Sequence, residues 1–161
     1  MKQIFILSIL INLFFFQSYS QTDKNEINDN LYYSALALAL DSSANYYQNI
    51  NSNKDLYNVI VEYNQLMTVD LPTTIREFSI RYLNYNELKI EYDNRKKSFP
   101  IIRIHPIVNE KGILKIAFTD YWISFEKDII NYGLEGGCII EFTFNCESGL
   151  FENSGVDFWG I

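Results

Sequence analysis

A single histidine, two cysteines and three prolines in 161 residues limit the chemistry open to this chain. A zinc site draws several ligands from His, Cys and acidic residues, and with His105 as the sole histidine no ligand pair stands at metal-like spacing. A Ser–His–Asp system would have to recruit that same His105, and no serine occupies a G-x-S-x-G turn. Gly133-Leu134-Glu135-Gly136-Gly137 is glycine-rich but lacks the Gly-Lys-Ser/Thr of a phosphate cradle, and Glu135 in its middle repels phosphate. Neither a cofactor nor a metal is expected. Positive charge is also scarce, at 13 basic against 20 acidic residues and a formal charge of −7. Binding a phosphate backbone requires Lys and Arg to displace counterions, so nucleic acid is excluded as partner. The one dense basic run, Arg95-Lys96-Lys97, reads as a solvated edge.

Long apolar runs are missing too. Ile4 to Phe16 is the longest, 13 residues interrupted by Ser8 and Asn12, and a membrane-spanning helix needs roughly 18 to 20. Lys2 precedes this run, and Ser18-Tyr19-Ser20 follows it as a small-x-small end. That order marks a secretory signal peptide over residues 1–20. The next residue is Gln21 and not Cys, so no lipid anchor is indicated. Residues 21–161 then form a single α+β domain, secreted or periplasmic, with no membrane contact after cleavage. Loss of Lys2 leaves 12 basic against 20 acidic residues, a formal charge of −8.

Cys138 and Cys146 frame the alternating segment CIIEFTFNC. Read as one strand, it separates their Cα atoms by roughly 27 Å, and a disulfide tolerates at most about 7 Å. Both are expected as small buried hydrophobes on the face of Ile140, Phe142 and Phe144.

The periodicity of the rest gives the elements. QTDKNEIN, residues 21–28, is a polar lead-in. Asn28, Asp29 and Asn30 are N-cap candidates for a helix from Leu31, with Leu31, Ala35, Leu38 and Ser42 as its apolar stripe and Tyr32, Leu36, Ala39 and Tyr46 beside it. The Asn-rich stretch 49–53 ends it. Tyr57 to Tyr63 alternates as a half-buried strand, and Phe78, Ile80 and Tyr82 mark a second. Residues 84–97 fit a short helix or a strand; the helix is preferred. Ile102, Ile104 and Val108 line one side of the segment 100–109, and Asn109-Glu110-Lys111-Gly112 turns it into a strand from Ile113 to Glu126. A loop holding Gly133, Gly136 and Gly137 leads into the strand Cys138–Cys146, and Glu147-Ser148-Gly149 turns the chain into a last strand, Leu150 to Trp159. The expected fold is α+β, an N-terminal amphipathic helix packed on an antiparallel sheet of about five to six strands.

The segments IIRIHPIVNEKG, IAFTDYWISF and EFTFNCESGLFENSGVDFWGI together resemble small secreted proteins of unknown function common in Bacteroidota. The resemblance implies export, and no activity comes with it.

Three sets of residues remain as candidates for function. Asp120 lies among Phe118, Tyr121 and Trp122, where aromatic surroundings raise a carboxyl pKa and suit a general acid; the structural reading is a bulge or strand end. His105 is expected half-exposed on the face of Arg103, and pairing it with Cys146 conflicts with the acidic neighbour Glu147. Glu126, Asp128 and Glu135 flank the glycine loop without the order of a calcium-binding loop. Tyr32-Tyr33, Tyr46-Tyr47, Tyr121-Trp122 and Phe158-Trp159 cannot all be buried with their polar atoms satisfied, which makes Tyr121, Trp122 and Trp159 contact candidates. The leading expectation is a non-enzymatic exported domain that binds a protein or glycan. The alternatives are a small extracytoplasmic hydrolase built on Asp120, His105 and Glu135, and an inhibitor or immunity-type partner of a secreted enzyme, which the acidic charge suits.

Overall fold

The computed structural model describes residues 30–49 and 57–160. The signal peptide, the polar lead-in, the cap candidates Asn28 and Asp29 and most of the Asn-rich turn lie outside the described residues, as do the side chains of Tyr46 and Tyr47. Helix α1 spans Leu31–Asn49. Asn30 caps it, its side-chain oxygen accepting from the backbone N–H of Tyr32 at 3.0 Å and of Tyr33 at 3.3 Å. Its buried residues are Ala35, Leu36, Ala37, Ala39, Leu40 and Ala44, whereas Leu31 and Leu38 of the expected stripe are only half-buried. The chain divides into two compact units after Ser34, and all that follows concerns the unit from Ala35 onward.

That unit is mixed α+β, as expected, but its sheet is larger. The strands are β1 (Asn58–Glu62), β2 (Thr74–Ile75), β3 (Phe78–Leu83), β4 (Phe99–Ile104), β5 (Val108–Glu110), β6 (Ile113–Glu126), β7 (Ile129–Asn145) and β8 (Leu150–Trp159). They form one eight-stranded sheet in the order β2-β3-β1-β4-β6-β7-β8, with β5 paired to β6. Nor is the sheet wholly antiparallel, because β1 lies parallel to both β3 and β4. Parallel strands need crossovers: residues 63–77 carry the chain from β1 to β3, and the segment that was ambiguous in the sequence carries it from β3 past β1 to β4. Helix α2, Tyr85–Arg95, connects β3 to β4. Asn84 starts it with a capping box, accepting from the N–H groups of Asn86 and Glu87 while Glu87 accepts from the N–H of Asn84.

Helix α2 covers one face of the sheet, and a core of Ile60, Leu83, Leu88, Phe99, Ile101, Ile123 and Phe125 lies there, with Tyr92, Tyr121, Ile130 and Tyr132 at its margin. On the opposite face Val61, Ile80, Ile104, Ile116, Phe118, Cys138, Ile140 and Phe142 are buried. β1 and β4 are therefore buried on both faces, at Ile60 and Val61 and at Ile101 and Ile104, and β1 is not the half-buried strand that its alternation suggests. Val108, expected in line with Ile104, is exposed because the chain leaves β4 at His105 and re-enters as the separate strand β5.

The glycine loop is the main correction. Gly133, Gly136 and Gly137 lie inside the 17-residue β7, and the turn falls earlier, at Lys127-Asp128, between the paired Glu126 and Ile129. The register shifts between Asp120 and Tyr121, so that Glu135 is an extra residue opposite them. Gly137 serves close approach: a Cβ there would sit 2.0 Å from the Phe118 carbonyl oxygen and 2.8 Å from the Trp159 ring. At the β5–β6 turn, by contrast, glycine serves conformation. Lys111 and Gly112 both have positive φ, 55° and 88°, the pattern of a tight two-residue hairpin.

Candidate functional site

The middle of β6 holds three of the sequence-derived candidates, Asp120, Tyr121 and Trp122, and strand alternation sends them to opposite faces. Asp120 pairs with Ile102 of β4 and Gly136 of β7 on the face away from α2. It is half-buried at the β-bulge, in keeping with the structural reading of this residue. Burial and, to a lesser extent, the Asp120 charge push the thiol of Cys138 up to about 12, which makes Cys138 an inert core residue. Trp122 is 38% exposed and donates its indole N–H to the carboxylate of Glu135. The bulge that makes Glu135 an extra residue thus gives it a partner on the neighbouring strand.

His105 lies on the α2 face, with its backbone N–H bonded to Ala117 O at 2.9 Å and its Nε2 2.9 Å from Thr119 Oγ1. It follows Arg103 on that face, as expected, and so cannot share a catalytic centre with Asp120 on the other. Burial, and secondarily the Arg103 charge, lower its pKa below the usual value. Cys146 does not meet it either: Cys146 follows the end of β7, about 23 Å along the strand from Ile139, the residue that pairs with Ala117. It is exposed, contrary to the expectation of a second buried thiol, and both cysteines are free.

Around His105 is a cluster with no short sequence signature. Arg103 grips both carboxylate oxygens of Glu62, with Nη2–Oε1 at 3.0 Å. Its guanidinium stacks over Tyr132, 4.4 Å from the ring centroid, and Tyr121, at 5.3 Å. The Tyr132 hydroxyl donates to Glu62 at 3.1 Å, and burial followed by that carboxylate pushes its pKa up to about 12. Strand register sets the cluster, since Glu62, Arg103 and Thr119 come from three strands adjacent in the sheet. No short motif could have revealed it. Its charges are matched within it, and among the described residues no buried side-chain nitrogen or oxygen lacks a hydrogen-bond partner. Tyr121 is therefore a wall of this cluster. Trp159 is half-buried over Gly137 on the same face, and Trp122 stands on the other. The three aromatic candidates do not form one patch.

Four large apolar side chains are exposed at the C-terminal hairpin, three on one face and Leu150, which pairs with Asn145, on the other. Leu150, Phe144, Phe158 and Phe151 are 54, 51, 46 and 40% exposed. Phe144 and Phe151 pair edge to face with centroids 5.3 Å apart, and Phe158, opposite Cys138, shares their side of the sheet. β8 is also the last strand among the described residues. Among the described residues, no three of His, Cys, Asp and Glu gather as metal ligands. Asp128, one of the three acids weighed for calcium, instead meets Lys89 at 3.7 Å. No described helix is long and apolar enough to cross a membrane. Comparison with protein-family models, curated proteins and solved structures finds no match for this chain.

Proposed function

We propose that this protein is an exported, non-enzymatic interaction domain whose contact surface is the outer strand β8 with the phenylalanines beside it. The observation that carries this reading is the edge itself, a ten-residue strand ending the sheet with Phe144, Phe151 and Phe158 exposed on one side. Exposed apolar surface next to unpaired backbone is what recognition by strand addition uses. Export rests on the charged, apolar and small-x-small order of residues 1–20.

The hydrolase alternative draws no support from the placement of its candidates, since Asp120 and His105 lie on opposite faces. The test is a screen of the purified protein against ester, peptide and glycoside substrates. No turnover is the expected result; turnover that is abolished by Asp120→Asn overturns the reading. The inhibitor or immunity-type alternative is a special case of an interaction domain, and the charge of the C-terminal hairpin favours it.

A further inference from the structure

After Lys127 the chain contains no lysine or arginine, while Asp128, Glu135, Glu141, Glu147, Glu152 and Asp157 all fall in this stretch. The nearest cation to β8 across the sheet is Lys115, and it is already held by Glu110 at 2.8 Å and Glu141 at 3.0 Å. Strand register then sorts the exposed side chains of β8. Phe151 and Phe158 pair with Phe144 and Cys138 on one face, and Glu152 and Asp157 pair with Thr143 and Ile139 on the other. The shift in pairing between Glu141 and Phe142 makes Ser154 an extra residue and divides β8 into two stretches. Each stretch carries one exposed phenylalanine and one exposed acid, Phe151 with Glu152 and Phe158 with Asp157. Asn145 and Ser148 both donate to Glu152 at 2.9 Å, which lowers its pKa and fixes an ionised carboxylate at the edge.

We propose that β8 takes up, by strand addition, an extended segment of a partner protein in which lysine or arginine alternates with apolar residues. Every second residue of an edge strand turns its N–H and C=O outward, and these would pair with the incoming backbone. Alternation places the incoming cations beside Glu152 and Asp157 and the apolar side chains beside Phe151 and Phe158. The same sorting argues against a second copy of this chain. Two β8 strands side by side would bring Glu152 and Asp157 against the same acids of the other copy, and like charges across a pair destabilise it.

This inference rests on the interaction reading above, and one experiment separates the two. The probes are three peptides of about eight residues, alternating Lys–Val, Thr–Val or Glu–Val, titrated into the purified protein while amide NMR shifts are followed along β8. The expected result is that Lys–Val binds, shifts the β8 amides and binds about tenfold more weakly to Glu152→Lys/Asp157→Lys, with affinity falling as salt is raised. Both substitutions lie at exposed positions, and an unchanged far-UV spectrum verifies the fold. Equal binding of all three peptides, or no response to the charge reversal, overturns the basic partner but leaves the edge as a docking surface. No β8 shift with any peptide overturns both readings. A concentration-dependent dimer that the charge reversal abolishes would replace the basic partner with a second copy.

Discussion

At one end of the sheet β2 stops after two residues, with Pro72 just before it and Arg76 just after; at the other, β8 runs ten residues, interrupted only by the bulge at Ser154, and contains neither proline nor a basic residue. Short length, proline and positive charge are the ordinary protections of a sheet edge, and the first edge has all three. The neighbouring strands differ in the same sense. Around β1 the pairing is parallel, both faces are buried and charges such as Glu62 and Arg103 are matched across strands. Around β8 the pairing is antiparallel, phenylalanines are exposed and acids have no basic residue of their own segment nearby. The difference separates a half with buried faces and matched charges from a half whose edge strand is exposed.

The sharpest way to break that comparison is to cut equivalent aromatic mass from each half. Phe99→Ala, in the core under α2, is expected to cost about 3–5 kcal/mol, and Phe144→Ser only about 0.5–1.5 kcal/mol, the worth of its edge-to-face contact with Phe151, both read by urea unfolding. A large loss at Phe144 would mean that the exposed stripe is structural. Gly137→Ala comes next. Its Cβ would meet the Phe118 carbonyl, a backbone atom that cannot swing aside, so a loss of about 1–3 kcal/mol and a disturbed β6–β7 register are expected from the same unfolding assay and amide shifts.

Smaller effects probe the polar cluster. Glu62→Gln leaves the Arg103 guanidinium between its two tyrosine rings without a counter-charge, and about 1.5–3 kcal/mol should be lost in chemical denaturation. If the cluster were a binding site with its charge awaiting a ligand, that change would cost little. The smallest expected effect is that of pH on His105. Its folded pKa lies below the usual value, so the unfolded chain binds more protons near that value. The contribution of His105 is complete above the ordinary histidine pKa of about 6.5 and is lost as pH falls through the lower folded value. His105→Gln should flatten this part of the melting-temperature profile between about pH 7 and 5. A slope unchanged by the substitution would show that other groups cause it.

The legible parts of the fold were those fixed by local pattern. Asn30 as cap, the Lys111-Gly112 turn, the bounds of β6 and the final strand all follow from residues within a few positions of one another. The parallel pairing of β1 was hidden because it depends on two crossovers, residues 63–77 to β3 and α2 onward to β4, and the 84–97 segment has both helical and alternating character. Gly133 to Gly137 misled for a related reason. Glycine breaks strands in most settings, yet here the approach of the Phe118 carbonyl and Trp159 requires it inside one. The candidate site was only half-visible: Asp120, His105 and Trp122 could be picked out by residue type, but their separation onto two faces, and the partnership of Glu62 with Arg103, are matters of register between strands distant in sequence.

Backbone hydrogen exchange along β8 tests the open edge most directly. In the purified protein, outward-facing amides of Leu150 to Trp159 should exchange with solvent orders of magnitude faster than those of β1 and β4, whose protection should approach that of global unfolding. Uniform, strong protection along β8 would mean that the strand is already paired, and the account of it as a contact surface would be wrong.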